Sequence, residues 1–245
     1  MTERYLMDKP LILRALQKGT FDLQGQFLSG SNYTFLGQMS LDDLCFQVVY
    51  KPIRGEQPLW DFPHGSLARR EVAAYLVSEA LGWDLVPPTI FRKDGPLGAG
   101  SIQQYIEHDP NDHYFNFEDK DRQRLRPVVA FDIILNNADR KGGHILRDTG
   151  DHLWLIDHGL CFHSEEKLRT VVWDFSGETI PKELINDLSR MVALLQEGEQ
   201  VYLQLQSLLR PGEISALAGR ARRLSEIGHF PAPPASRRSY PWPPV

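Results

Sequence analysis

NNADRKGGHILRDTGDHLWLIDHGL, residues 136–160, is the stretch on which the fold turns. Asp139 sits in a glycine-rich loop that follows an apolar, helix-forming run. Two short apolar runs, 144–146 and 153–156, flank Asp148-Thr149-Gly150, a spacing that predicts a β-hairpin. The second run ends on Asp157, with His158-Gly159 behind it. A carboxylate at the end of a buried strand is costly without a partner, so Asp157 is the least ordinary acid in the chain.

Outward from there, the N-terminal part reads as a sheet. Leu11, Leu13 and Leu16 predict a short helix closed by Gly19. Alternation at Phe21–Phe27, Tyr33–Phe35 and Phe46–Tyr50 predicts a three-stranded antiparallel meander, with turns at Ser29–Asn32 and Leu41–Asp43. Pro52 ends the third strand, because it cannot donate to the ladder. Ser66 is the expected cap of a helix closed by Gly82. Residues 89–93 and 101–106 predict another hairpin, turning at Asp94-Gly95. On the other side, Val128, Phe131, Ile134 and Leu135 form a stripe on a helix opened by Pro127. Further helices open at Pro181, Glu199 and Pro211, the last stopping near Gly228. The expected class is α+β: an antiparallel-sheet lobe with one long helix (1–106), a mainly helical lobe (107–228) and a Pro-rich tail (229–245).

Composition narrows the function. The 245 residues carry a net charge of −5, without a basic stripe, which argues against sequence-independent nucleic-acid binding. Two cysteines, Cys45 and Cys161, are too few for a disulfide framework and suit a reducing, cytoplasmic compartment. The N-terminus lacks the pattern of a secretory signal, and no apolar run is long enough for a transmembrane segment.

Taken singly, Lys51 reads as a strand-end lysine, Glu71 as a solvated helix acid and Asp139 as a turn former. Their order is more informative. Phosphoryl transfer from ATP needs backbone amides over the phosphates, a lysine held by a glutamate, a carboxylate facing the acceptor hydroxyl, and another holding a metal with hard ligands. Lys51, Asp139 and Asp157 are therefore expected to line one crevice between the lobes.

Lys51 with Glu56-Gln57-Pro58, REVAAYLVSEALGWDLVPPT (70–89), GSIQQYI (100–106), NNADR and LIDHGL together resemble type II phosphatidylinositol 4-kinases and their bacterial relatives. The resemblance runs from about Gly25 to Phe162 and implies a bilobal, protein-kinase-like fold. It implies that Lys51 binds the α/β phosphates of ATP and that Glu71 orients it. Ser29, Gly30, Ser31 and Asn32 would cover the phosphates. Gln103, Tyr105 and Ile106 would form the adenine hinge, through the backbone of Gln103 and Ile106. Asp139 would be the catalytic aspartate, and Asp157 would hold the metal.

Two departures shape the expectation. Where the family has asparagine, His144 stands five residues after Asp139; as a second metal ligand with Asp157, it shifts preference from Mg²⁺ towards Mn²⁺. Its protonation would compete with the metal below roughly pH 6. The cysteine cluster that anchors eukaryotic members to membranes is missing, and Arg220, Arg222 and Arg223 make only a modest basic cluster. With 88 residues after Asp157, the expectation is a minimal kinase whose acceptor hydroxyl belongs to an unidentified lipid, protein or small molecule. Peripheral membrane contact stays compatible with this, as does a protein partner for the tail. The alternatives are a nucleotide-binding pseudokinase or a phosphotransferase acting on sugars or antibiotics. Most of the five tryptophans are expected in the core or between lobes.

Overall fold

The computed structural model describes residues 8–28 and 32–245. The chain divides into two compact units, one of residues 1–72 and 87–105, the other of residues 73–86 and 106–245.

The first unit is built on a five-stranded antiparallel sheet of β1 (Thr20–Gln26), β2 (Phe35–Leu41), β3 (Leu44–Pro52), β4 (Thr89–Gly95) and β5 (Gly98–Gln104), in the order β1-β2-β3-β5-β4. Its period-2 pattern sets the faces. Phe46, Val48 and Tyr50 of β3 point into a core with Phe35, Met39, Ile90 and Ile102. Lys51, one residue on, therefore projects from the opposite face. Helix α1 (Lys9–Lys18) covers the core with Ile12, Ala15 and Leu16. The buried stripe is thus centred on Ile12 rather than on Leu11, which is exposed.

The β2–β3 turn falls at Asp42-Asp43 as expected, with Asp42 in the left-handed region at φ 52°. The β4–β5 turn does not fall at Asp94-Gly95. Gly95 pairs with Gly98, and Pro96-Leu97 make the turn. Proline pre-sets the φ of a turn position, and Gly98 takes φ +101° without a Cβ to resist it.

Helix α2 (Leu67–Leu81) starts differently from the Ser66 cap that its sequence suggests. The Ser66 hydroxyl donates to the Pro63 carbonyl (2.6 Å) and accepts from Arg70 Nε (3.3 Å). Glu56 supplies the helix instead, its Oε1 accepting the Ala68 amide at 3.0 Å. A carboxylate suits that end, where unpaired amides carry partial positive charge.

The second unit is centred on α4 (Arg126–Leu135), preceded by the short α3 (Asp119–Arg122). The expected stripe on α4 is buried, and so are Val129, Ala130 and Asp132 on its other sides. Helices α5 (Lys182–Leu194), α6 (Gln200–Gln206) and α7 (Pro211–Ile227) follow a hairpin of β6 (Ile145–Arg147) and β7 (Leu153–Leu155). Gly228 ends α7 in the left-handed conformation. The tail binds its own unit: the Ser239 carbonyl accepts from the Thr170 amide (3.1 Å), and the Pro244 carbonyl from the Gly142 amide (2.8 Å).

Two of the five tryptophans are not packed. Trp60 is 92% exposed in a Pro/Gly-rich loop and Trp242 is 76% exposed in the tail, where neither segment forms a layer able to cover an indole. Trp83, Trp154 and Trp173 are partly buried.

Candidate functional site

In the first unit, β3 and α2 bring Lys51 and Glu71 together. Lys51 Nζ donates to Glu71 Oε1 in an ion pair whose glutamate is almost entirely buried. The pair leaves the lysine partly open to solvent, at 24% exposure, with its charge fixed in place. Gly100 lies beside it in β5, where a Cβ would collide with the Lys51 carbonyl oxygen. Only glycine allows that approach.

Of the residues expected to cover phosphates, Ser29, Gly30 and Ser31 lie outside the described residues. Asn32 is described, and its Oδ1 accepts the Gln57 amide at 2.7 Å. That bond ties the turn to the Glu56-Gln57-Pro58 segment.

The three expected hinge residues have different environments. Gln103 is a ladder residue of β5, opposite Val49 on one side and Thr89 on the other, and its side-chain amide donates to Thr89 Oγ1 at 2.8 Å. The Tyr105 amide donates to the Gln47 carbonyl at 3.0 Å. Ile106 lies beyond the strand, and its amide has no backbone acceptor among the described residues. Its carbonyl accepts from His108 Nδ1 at 2.8 Å.

The second unit gathers Asp139, His144 and Asp157. His144 Nε2 lies 3.4 Å from Asp157 Oδ2, and Lys141 Nζ lies 3.7 Å from Asp139 Oδ2. Burial pushes the Asp139 carboxyl up to about 6, helped by the nearby Asp157 charge and opposed by Lys141 and Arg169. Asp157 takes φ 60°, a left-handed conformation that aspartate tolerates better than most residues, and its side chain is 47% exposed.

The framework holding these groups is a buried polar network that their sequence positions do not announce. Arg140 is fully buried, and its Nε donates to both oxygens of Asp132 (3.0 and 3.2 Å). Its Nη1 donates to the carbonyls of Ile156 (2.8 Å) and His144 (3.3 Å), and its Nη2 to His158 Nε2 (2.8 Å). One guanidinium thus fixes the backbone beside both metal-holding candidates. Asn137 bridges the same network, donating to Asp132 Oδ1 (3.1 Å) and accepting the Asp139 amide on its Oδ1 (2.9 Å). Burial pushes the Asp132 carboxyl up against the pull of Arg140, Asn137 and Thr170. Arg140 and Asp132 thus make a core ion pair, and the buried His158 accepts a hydrogen bond from the same guanidinium. The available signal was faint: a lone acid, Asp132, inside the apolar run 127–135.

A divalent cation suits this donor set. Mg²⁺ and Mn²⁺ are commonly bound by one or two protein ligands, with phosphate oxygens and water completing the shell. His144 and Asp157 offer an imidazole nitrogen and a half-exposed carboxylate side by side. No group of three or more His, Cys, Asp or Glu residues suited to a metal occurs among the described residues.

Comparison with known proteins places the chain. Protein Rv2133c of Mycobacterium tuberculosis is 37% identical over 93% of this chain and 93% of its own length. The chain belongs to the Rv2133c family. The phosphatidylinositol 4-kinases gamma 4 of Oryza sativa and of Arabidopsis thaliana are each 31% identical over 44% of this chain. The matched regions make up 22% and 24% of those plant proteins. No protein-family model matches. Among solved structures, the Helicobacter pylori proinflammatory kinase CtkA is similar at a TM-score of 0.50 and 12% identity, covering 88% of this chain and 94% of that one. The fold is the bilobal, kinase-like α+β class. No helix among the described residues is long and apolar enough to cross a membrane.

Proposed function

We propose that this member of the Rv2133c family is a metal-dependent kinase that transfers the γ-phosphoryl group of ATP to a hydroxyl acceptor. The observation that carries the reading is Asp139, a carboxylate raised towards neutrality beside the Asp157–His144 pair. A base of that basicity is ionised at physiological pH yet strong enough to receive the hydroxyl proton as the new P–O bond forms. Lys51, held by Glu71, neutralises phosphate charge on the same nucleotide. The Ile106 amide is the donor offered to adenine, a role for which the ladder position of Gln103 suits it less. The cation would be held by Asp157 and His144 and would supply charge neutralisation for the bridging phosphate oxygens. Lys141, close to Asp139, is placed to offset the developing charge on the transferring group.

The acceptor is the open part of the reading. Likeness to phosphatidylinositol kinases over 44% of the chain makes an inositol lipid the first acceptor to try, with serine/threonine peptides second. A nucleotide-binding module without turnover is the competing reading, supported by the imidazole at position 144, where the family it resembles carries an amide.

Purified protein with γ-labelled ATP, in Mg²⁺ and separately in Mn²⁺, tests this. Labelled acceptor or phosphate release that needs metal and disappears in Asp157→Ala is expected. Thermal stabilisation by ATP–metal with no turnover on any acceptor would replace the kinase by the binding module.

A further inference from the structure

A cavity of about 260 Å³ in the second unit shares no residue with the candidate phosphotransfer groups. Its apolar wall includes Leu168, Leu224 and the Trp173 ring, whose indole N–H is already engaged by the Ser239 carbonyl. Its polar wall is unusual, with Arg220, Arg223 and Arg237 facing a single acid, Glu166.

Arg220 is the decisive group. It is 5% exposed, its Nε donates to the Ile134 carbonyl (2.7 Å) and its Nη1 to the His163 carbonyl (3.2 Å). Its Nη2 is buried and meets no acceptor among the described residues. A charged donor removed from water without an acceptor is costly, and burial pulls the Arg220 guanidinium down to about 10. Glu166 offsets part of that charge from a distance, but its Oε1 lies 3.4 Å from Arg237 Nη2 and makes no hydrogen bond to Arg220 Nη2. Arg223, on the same α7 face one position before Leu224, adds a second, exposed guanidinium. His229 is already engaged: its Nδ1 donates to the Ile227 carbonyl at 3.1 Å and its Nε2 faces Thr179 Oγ1 at 3.4 Å.

We propose that this cavity is a second ligand site, taking a small molecule that carries an oxyanion on a compact apolar body. The oxyanion, a phosphate or carboxylate, would accept from Arg220 Nη2 and Arg223, and the apolar body would lie against Trp173 and Leu224. The size is suitable: an apolar cavity of about 150 Å³ holds benzene, so this one has room for a ring and its charged group. The proposal is independent of the kinase reading.

Calorimetry on the full chain tests it with phenyl phosphate and phenylacetate, against inorganic phosphate and benzyl alcohol as half-ligands. One molecule of an aryl oxyanion should bind per chain, at least roughly tenfold more tightly than either half. Arg223→Gln, at an exposed position, should weaken it by about tenfold, and Ala232→Trp, which sets an indole at the exposed rim of the cavity, should weaken it at least as much. Lys51→Met should leave it unchanged, which separates this site from the candidate nucleotide site. Arg220→Gln is informative if it folds; Arg223→Gln and Ala232→Trp carry the test if it does not. Binding of phosphate alone with equal affinity, benzyl alcohol binding as well as the anions, absence of any binding, or indifference to both Arg223→Gln and Ala232→Trp would overturn the proposal.

Discussion

The Lys51–Glu71 pair and the loop around Asp139 reach their geometry by opposite means. Lys51 stands on a strand paired on both sides, and Glu71 stands on a helix, so regular secondary structure positions both. Asp139 and Asp157 stand on irregular backbone, and His144 closes a single 3-10 turn (Gly142–His144). The Asn137 side chain and Arg140 hold that loop, with backbone bonds from the Arg169 amide to the Asn137 carbonyl and from the Arg140 amide to the Arg169 carbonyl. A strand lysine is placed by the ladder, whereas the loop acids are placed by a few buried side chains. Substitution of Lys51 should therefore damage function at modest cost to the fold, whereas substitution of the buried side chains that hold the Asp139 loop should damage both.

Arg140→Met breaks this comparison most strongly. It leaves Asp132 as an uncompensated charge at zero exposure and should cost about 3–5 kcal/mol in denaturant unfolding. Pairing it with Asp132→Leu should recover part of that loss. The carbonyls of His144 and Ile156 would still lack their donor, so full recovery would mean that the ion pair alone, not the bridging, matters. Lys51→Met should weaken ATP binding by roughly ten- to a hundredfold while costing only about 1–2 kcal/mol of stability through the stranded Glu71. A loss as large as that of Arg140→Met would erase the proposed contrast.

Asp139 sharpens it from the stability side. Its carboxyl binds a proton more tightly folded than unfolded, about 6 against the ordinary 3.8. The group favours the folded state below pH 4 and loses that contribution as pH rises through about 6. At pH 7 an ionised Asp139 is thus a burden, and Asp139→Asn should stabilise the chain by about 1 kcal/mol after allowing for solvent screening. Unfolding curves at pH 3 and pH 7 should show that gain at pH 7 and almost none of it at pH 3. The smallest effect is expected of Glu56→Ala, which removes the acceptor for the Ala68 amide and should cost about 1 kcal/mol by the same measurement.

What the sequence made legible follows the same division. Phe46, Val48 and Tyr50 alternate cleanly, so β3, its core face and the outward direction of Lys51 could be read directly. Pro127, Pro211 and Gly228 marked helix ends for physical reasons that tertiary context rarely overrides. The β4–β5 turn was misread because Asp94-Gly95 is a strong local signal, while the Gly95–Gly98 pairing that decides the turn becomes visible only in the ladder. Glu56 acts on the start of α2 from 12 residues away, beyond the reach of a local capping rule. The Arg140 network was hidden for the same reason: His158 lies 18 residues further on, and Thr170, which donates to Asp132, is 38 residues from it. Local periodicity names the elements, and the long-range polar bonds that hold the Asp139 loop leave almost no periodic trace.

The account stands on Asp139 as the base of phosphoryl transfer. The most direct measurement compares metal-dependent ATP turnover of the native chain and Asp139→Asn on an identified acceptor, with nucleotide affinity determined calorimetrically for both. A rate lower by roughly 10²–10⁴ at nearly unchanged ATP affinity is predicted. Equal turnover by the two proteins would contradict the account.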